Sequence, residues 1–188
     1  MNADKRRLFV ALDFPEDVRE VVERAISGLR RLAADWKWIK LANVHLTLKF
    51  IGETEKLVEI VAALDAIPFP GPLTLEARGL GFFPDDRRPR VFWVGLAAPQ
   101  ALAELARAVE QALVPLGIPA EDRVFSPHLT LARLREPRVA PDVTAAIHQQ
   151  SEVSFGAFKV SSFALYQSRL SPGGSEYTKL REFPAKER

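Results

Sequence analysis

The 188-residue chain contains no cysteine. That excludes disulfides, thiolate nucleophiles and cysteine-held metals, and it fits a reducing compartment. Long apolar runs are also missing: nothing approaches the roughly 18–20 residues of a membrane span. The charged start Met1–Arg7 imitates the opening of a signal peptide, but Asp13, Pro15, Glu16 and Asp17 end the following apolar stretch too early. A cytoplasmic protein without membrane association is expected. An excess of one charge is lacking as well, with 26 Lys and Arg against 24 Asp and Glu, a net charge of +2. Such a balance does not demand a nucleic-acid partner, yet it tolerates an anionic ligand. No glycine-rich phosphate loop is present. Gly79-Leu80-Gly81 lacks the third glycine and the following helix of a dinucleotide fingerprint. Hydrophobic residues make up 47% and charged residues 27%. These proportions fit a soluble globular chain with one sizeable core or two small lobes.

Histidine is scarce too, with three in the chain, and here scarcity turns informative. Two of the three stand in the same tetrapeptide, His45-Leu46-Thr47-Leu48 and His128-Leu129-Thr130-Leu131. In a strand, residues i and i+2 share a face. Each imidazole then stands beside a hydroxyl, while the leucines pack beneath. Two such strands meeting would present two imidazoles and two hydroxyls to one point. That set suits in-line chemistry on a phosphodiester: one neutral histidine takes a proton and one protonated histidine gives one. The two hydroxyls donate to the non-bridging oxygens. No metal is expected, because two histidines without cysteine or acids at ligand spacing fall short of the three or four ligands zinc uses. His148 has no matching threonine and reads as a helix-surface residue.

The hydropathy pattern alternates strands and helices. Residues 8–12, 36–40, 45–51, 73–83, 90–96, 128–134, 156–170 and 176–183 read as strands. Residues 16–34, 54–66, 99–114 and 141–149 read as helices, the first with Val18, Val21, Val22, Ala25, Ile26, Leu29 and Leu32 on one face. Hairpins among the strands favour α+β over a doubly wound parallel sheet.

With these words in place the chain resembles the 2H phosphoesterases, and within them the RNA 2′,3′-cyclic phosphodiesterases, historically called 2′-5′ RNA ligases. The resemblance rests on Arg7–Leu12, Asn43–Glu53, Arg90–Leu96, Phe125–Arg133, Leu165–Ser168 and Tyr177. It implies an α+β fold of two lobes related by a pseudo-two-fold axis, with mostly antiparallel sheets facing a central cleft and helices outside. The whole chain, 1–188, is then one domain of intertwined lobes. It also implies metal-independent hydrolysis of a terminal RNA 2′,3′-cyclic phosphate to a 2′-phosphate, with no cofactor. Reversible 2′-5′ ligation, action on small cyclic nucleotides and non-catalytic RNA or nucleotide binding are the alternatives. His45 and His128 are the expected catalytic residues, and Thr47 and Thr130 the phosphate-binding ones. Lys49, which shares parity with Thr47, is a further candidate for substrate contact. Arg133 has the wrong parity relative to Thr130 and needs a twist to reach the site. Ser126 offers a hydroxyl before Pro127, and Phe9 and Tyr177 offer rings for base stacking. RNA ends or small cyclic nucleotides are the expected partners of a monomer.

Overall fold

A computed structural model describes residues 5–172 and 174–185. The expected 1–188 extent therefore includes termini outside the described residues. Strand β1 (Arg6–Leu12) leads into helix α1 (Glu16–Leu32), then β2 (Lys37–Trp38), a 3₁₀ turn at Leu41–Asn43, β3 (Leu46–Thr54) and α2 (Leu57–Asp65). Strands β4 (Leu73–Phe83) and β5 (Val91–Ala97) follow, then α3 (Gln100–Leu113), β6 (His128–Arg133) and α4 (Pro141–His148). Strands β7 (Ser154–Val160), β8 (Ser162–Ser171) and β9 (Gly174–Pro184) close the order.

Local chemistry accounts for these elements. Helix α1 starts after Pro15, carries Glu16 and Asp17 in its first turn and Arg30 and Arg31 in its last, each sign complementing the helix dipole. It buries Val18, Val22, Ile26 and Leu29. Leu32, expected on that face, is 62% exposed, and Ala33 takes the next inward place at 3%. The stripe advances by three or four residues, and Ala33, four beyond Leu29, continues it. Strand β3 runs past its expected end because Gly52, at φ +85°, lets the strand bend without breaking. Helix α2 accordingly starts at Leu57, not at residue 54. The single strand expected over 156–170 is two, β7 and β8, separated at Ser161. The inward set passes from Phe158 and Val160 to Phe163 and Leu165, so the alternation slips by one residue at the polar pair Ser161-Ser162, where the strand breaks.

All strand pairs are antiparallel, and the sheet path is β7-β4-β5-β6-β3-β1-β8-β9, with β2 added to β6. This is the expected α+β class with a duplicated, two-fold plan. Four strands of this path lie on each side of one junction, where β3 and β6 pair through Leu46 and Leu129, and β2 makes a fifth on the β6 side. The order β-helix-β(His-x-Thr)-helix occurs twice, as β1-α1-β3-α2 and β5-α3-β6-α4. Strands then cross over: β4 pairs with β5 of the second unit, and β8 pairs with β1 of the first. The helices cross as well, α1 lying against β7 and α3 against β3. Leu8, Leu12, Ile60, Leu64, Phe92, Leu129 and Phe163 are fully buried between these layers. Each such side chain contributes about 1.5–3 kcal/mol.

Candidate active site

The junction between the halves also brings the candidate site residues together. Leu46 and Leu129 are paired and face the core, 3% and 0% exposed. Their neighbours point to the opposite face. Continuing the antiparallel register outward by one residue sets His45 opposite Thr130, and Thr47 opposite His128. The two imidazoles occupy one diagonal of a quartet and the two hydroxyls the other. The pseudo-two-fold axis passes through the leucine pair.

Both imidazoles are held the same way. His45 Nδ1 lies 2.7 Å from the Asn43 carbonyl oxygen, and His128 Nδ1 lies 2.7 Å from the Ser126 carbonyl oxygen. A carbonyl can only accept, so Nδ1–H donates and Nε2 is left for chemistry. Asn43 is itself fixed, its Nδ2 donating to the Ser175 carbonyl at 2.7 Å. Around His45 the Phe9 ring stacks at 4.7 Å and Tyr177 meets it edge-on at 5.2 Å. Around His128, Phe83 meets the ring edge-on at 4.8 Å. Burial pushes both imidazoles below their ordinary pKa, because a charged ring loses hydration there. The carbonyl bonds oppose that shift in each. Asp13 also opposes it at His45, while Arg19 and His128 add to it. Arg133 adds to it at His128. Asp13 is held by Lys179 Nζ at 2.6 Å and by the Tyr166 hydroxyl. Burial works to raise the Asp13 pKa, but these two donors lower it overall.

The LigT like Phosphoesterase family matches this chain twice, over residues 12–93 and 94–177. The chain belongs to this family. Each family copy carries one His-x-Thr word, so the duplication seen in the family match is the one seen in the sheet. The LigT-like chain is 37% identical over 179 residues to the RNA 2′,3′-cyclic phosphodiesterase of Archaeoglobus fulgidus, covering 94% of this chain and 99% of that one. It is 38% identical over 152 residues to the enzyme of the same name from Aeropyrum pernix, covering 79% and 86%. Among solved structures it superposes on a Thermus thermophilus protein with a TM-score of 0.78, 34% identity and coverage of 95% and 97%. It also superposes on E. coli LigT complexed with 3′-AMP, with a TM-score of 0.78, 28% identity and coverage of 98% and 100%.

The remaining candidates in this LigT-like phosphoesterase separate along two β-bulges. In β3 the partners step from Ala11–Thr47 to Val10–Lys49, so Leu48 is an extra residue. Leu48 and Lys49 therefore both face inward, and Lys49 is 3% exposed. This corrects the expectation that Lys49 meets a phosphate: its Nζ donates to Glu110 Oε1 at 2.9 Å and the Pro119 carbonyl at 2.6 Å. In β6 the partners step from Trp93–Thr130 to Phe92–Ala132, and Leu131 is the extra residue. The parity flips again, and Arg133 comes to the face of His128 and Thr130. Phe9 is on the site face but 3% exposed, so it supports His45 and is closed to a base. Tyr177 stands partly exposed beside His45, and Ser126 is exposed, contributing its carbonyl to His128. His148 is half-exposed on α4, its Nε2 2.6 Å from Asp86. Sequence reasoning missed Asn43, Asp13, Tyr166 and Phe83. It also missed Phe50, 55% exposed at the position in β3 that Arg133 occupies in β6. Aligning the two words beyond the second leucine pairs Phe50 with Arg133 and would have raised both together. Among the described residues no helix is long and apolar enough to cross a membrane.

Proposed function

We propose that the protein hydrolyses a terminal ribose 2′,3′-cyclic phosphate of RNA to a 2′-phosphate, using the two histidines as base and acid without a metal. The observation that carries this reading is the quartet: two imidazoles on one diagonal, each with Nδ1 tied to a carbonyl, and two threonines on the other. Water attacks phosphorus as one neutral Nε2 takes its proton. The bond from phosphorus to O3′ breaks, and the other histidine protonates O3′ through its Nε2–H. Thr47 and Thr130 donate to the non-bridging oxygens, which carry the added charge. The relatives named RNA 2′,3′-cyclic phosphodiesterase support the substrate, as does Arg133 on the site face. Ligation of RNA ends by the reverse path uses the same groups. Small cyclic nucleotides form a second substrate class, favoured by the small net charge and by the 3′-AMP bound to E. coli LigT.

The test is incubation with an oligoribonucleotide ending in a 2′,3′-cyclic phosphate, in EDTA, followed by identification of the end group. Wild type should leave a 2′-phosphate, and His45→Ala and His128→Ala should not. Thr47→Val or Thr130→Val should lower kcat by about 10²–10³-fold, the cost of removing one oxyanion donor. Full activity in either histidine variant overturns the mechanism, and a 3′-phosphate product overturns the regiochemistry.

A further inference from the structure

The quartet is symmetric, but its two flanks are not. Opposite Thr47 stands Ala11, and opposite Thr130 stands Trp93. The Trp93 indole lies down on the sheet. A Cβ on Gly81, its partner in β4, would fall 2.5 Å from its Cζ2, whereas a Cβ on Gly95 would first meet the Arg78 carbonyl at 2.7 Å and then the ring's Cζ3 at 3.3 Å. The absent side chain of Gly81 thus makes the floor on which the ring rests, with Gly95 at its edge. The arrangement is not explained by bonding, since the buried Trp93 Nε1 has no hydrogen-bond partner among the described residues. Phe83 stands against the indole at 5.2 Å and reaches His128 with its edge. These rings border a cavity of about 310 Å³, with Ser126 and Arg78 supplying polar groups. That volume is at the small end of ligand sites, which run about 300–1,000 Å³.

We propose that this cavity is a nucleobase subsite, in which the base of the nucleotide whose phosphate occupies the quartet stacks on Trp93. The proposal rests on the reading of the quartet as a phosphodiester site. Adjacent strands lie about 4.8 Å apart, so Trp93 is within one nucleotide of a phosphate held by Thr130. A flat, aromatic, sequence-tolerant surface is what a purine or pyrimidine face takes up. At the position matching Trp93 the His45 flank has the buried Ala11, although Phe50 and Tyr177 expose rings elsewhere on that flank. The indole with its bordering cavity puts the terminal nucleoside on the His128 side.

The experiment compares adenosine 2′,3′-cyclic phosphate with methyl riboside 2,3-cyclic phosphate, which lacks the base. It also measures binding of adenosine 2′-phosphate and of ribose 5-phosphate by calorimetry. Wild type should favour the base-bearing substrate in kcat/KM by about 10- to 100-fold. Trp93→Ala should collapse that ratio toward one, and Trp93→Phe should restore much of it. Gly81→Ala, which tilts the indole off its floor, should reduce the ratio with Trp93 still present. Equal losses on both substrates in Trp93→Ala, or an unchanged ratio, overturn the subsite. If wild type turns over neither compound, small cyclic nucleotides are not its substrates, and the RNA reading is judged by the oligoribonucleotide assay. The subsite then stands if Trp93→Ala weakens adenosine 2′-phosphate alone, and falls if it weakens both ligands or neither.

Discussion

At the scale of single residues, the two histidines are set apart less by their bonds than by the charges around them. Each is partly buried, and each gives Nδ1–H to a carbonyl. His45 alone feels the Asp13 carboxylate, which favours the protonated ring, whereas His128 feels Arg133, which disfavours it. Burial places both below their ordinary pKa, so a neutral base is available at pH below that of free imidazole. Asp13→Asn removes the negative charge that holds His45 up. Its pKa must then fall further, and the limb of the pH–rate profile that His45 controls must move to lower pH. If His45 is the base, the rising limb moves; if it is the acid, the falling limb moves. Profiles of kcat/KM for wild type and Asp13→Asn read this out directly. A shift to higher pH, or none in either limb, contradicts the electrostatic account.

At the scale of elements, the words His-Leu-Thr-Leu were legible because a period of two in a strand is a strong signal. They carried the quartet with them, and the alternation of apolar runs carried the α+β class. What was not legible was where the period slips. Leu48 and Leu131 are each one residue too many against their partners, and nothing in their side chains announces it. A bulge reverses every face beyond it. For that reason Lys49 is buried and Arg133 comes to the site, the reverse of simple parity. The break at Ser161 does carry a signal, a change of inward parity from Val160 to Phe163 across two serines, but a slip of one residue reads equally well as a bulge within one long strand. The role of Lys49 is structural. Through Glu110 and Pro119 it ties β3 to α3 and to the chain leading toward His128. Lys49→Met should cost about 1–3 kcal/mol, because Glu110 can recover solvent while the Pro119 carbonyl loses its donor. The dependence of kcat/KM on salt should keep its slope, whereas Arg133→Ala should flatten it. Thermal melts with activity measured across salt concentrations separate the two roles. A flattened slope in Lys49→Met would return that residue to the substrate.

At the scale of the whole molecule, the halves touch through one residue pair in the sheet yet exchange strands and helices. Strand β4 follows the first unit in the chain but completes the second, and β8 does the converse. Helix α1 lies against β7, which belongs to the far side of the junction. Neither half can bury its apolar faces without elements contributed by the other. Folding should therefore be a single cooperative event, and the quartet should exist only when that event is complete. Urea unfolding followed by far-UV circular dichroism, by tryptophan fluorescence and by residual activity should give coincident transitions. A chain cut to residues 1–93, the span containing the first family copy, should fail to fold. It keeps β1 and β4 but loses β8, which pairs with β1, and β7 and most of β5, which pair with β4. Separate transitions, or a folded 1–93 fragment, would show that the two copies are independent lobes in contact and that exchange of strands is not what holds the two histidines together.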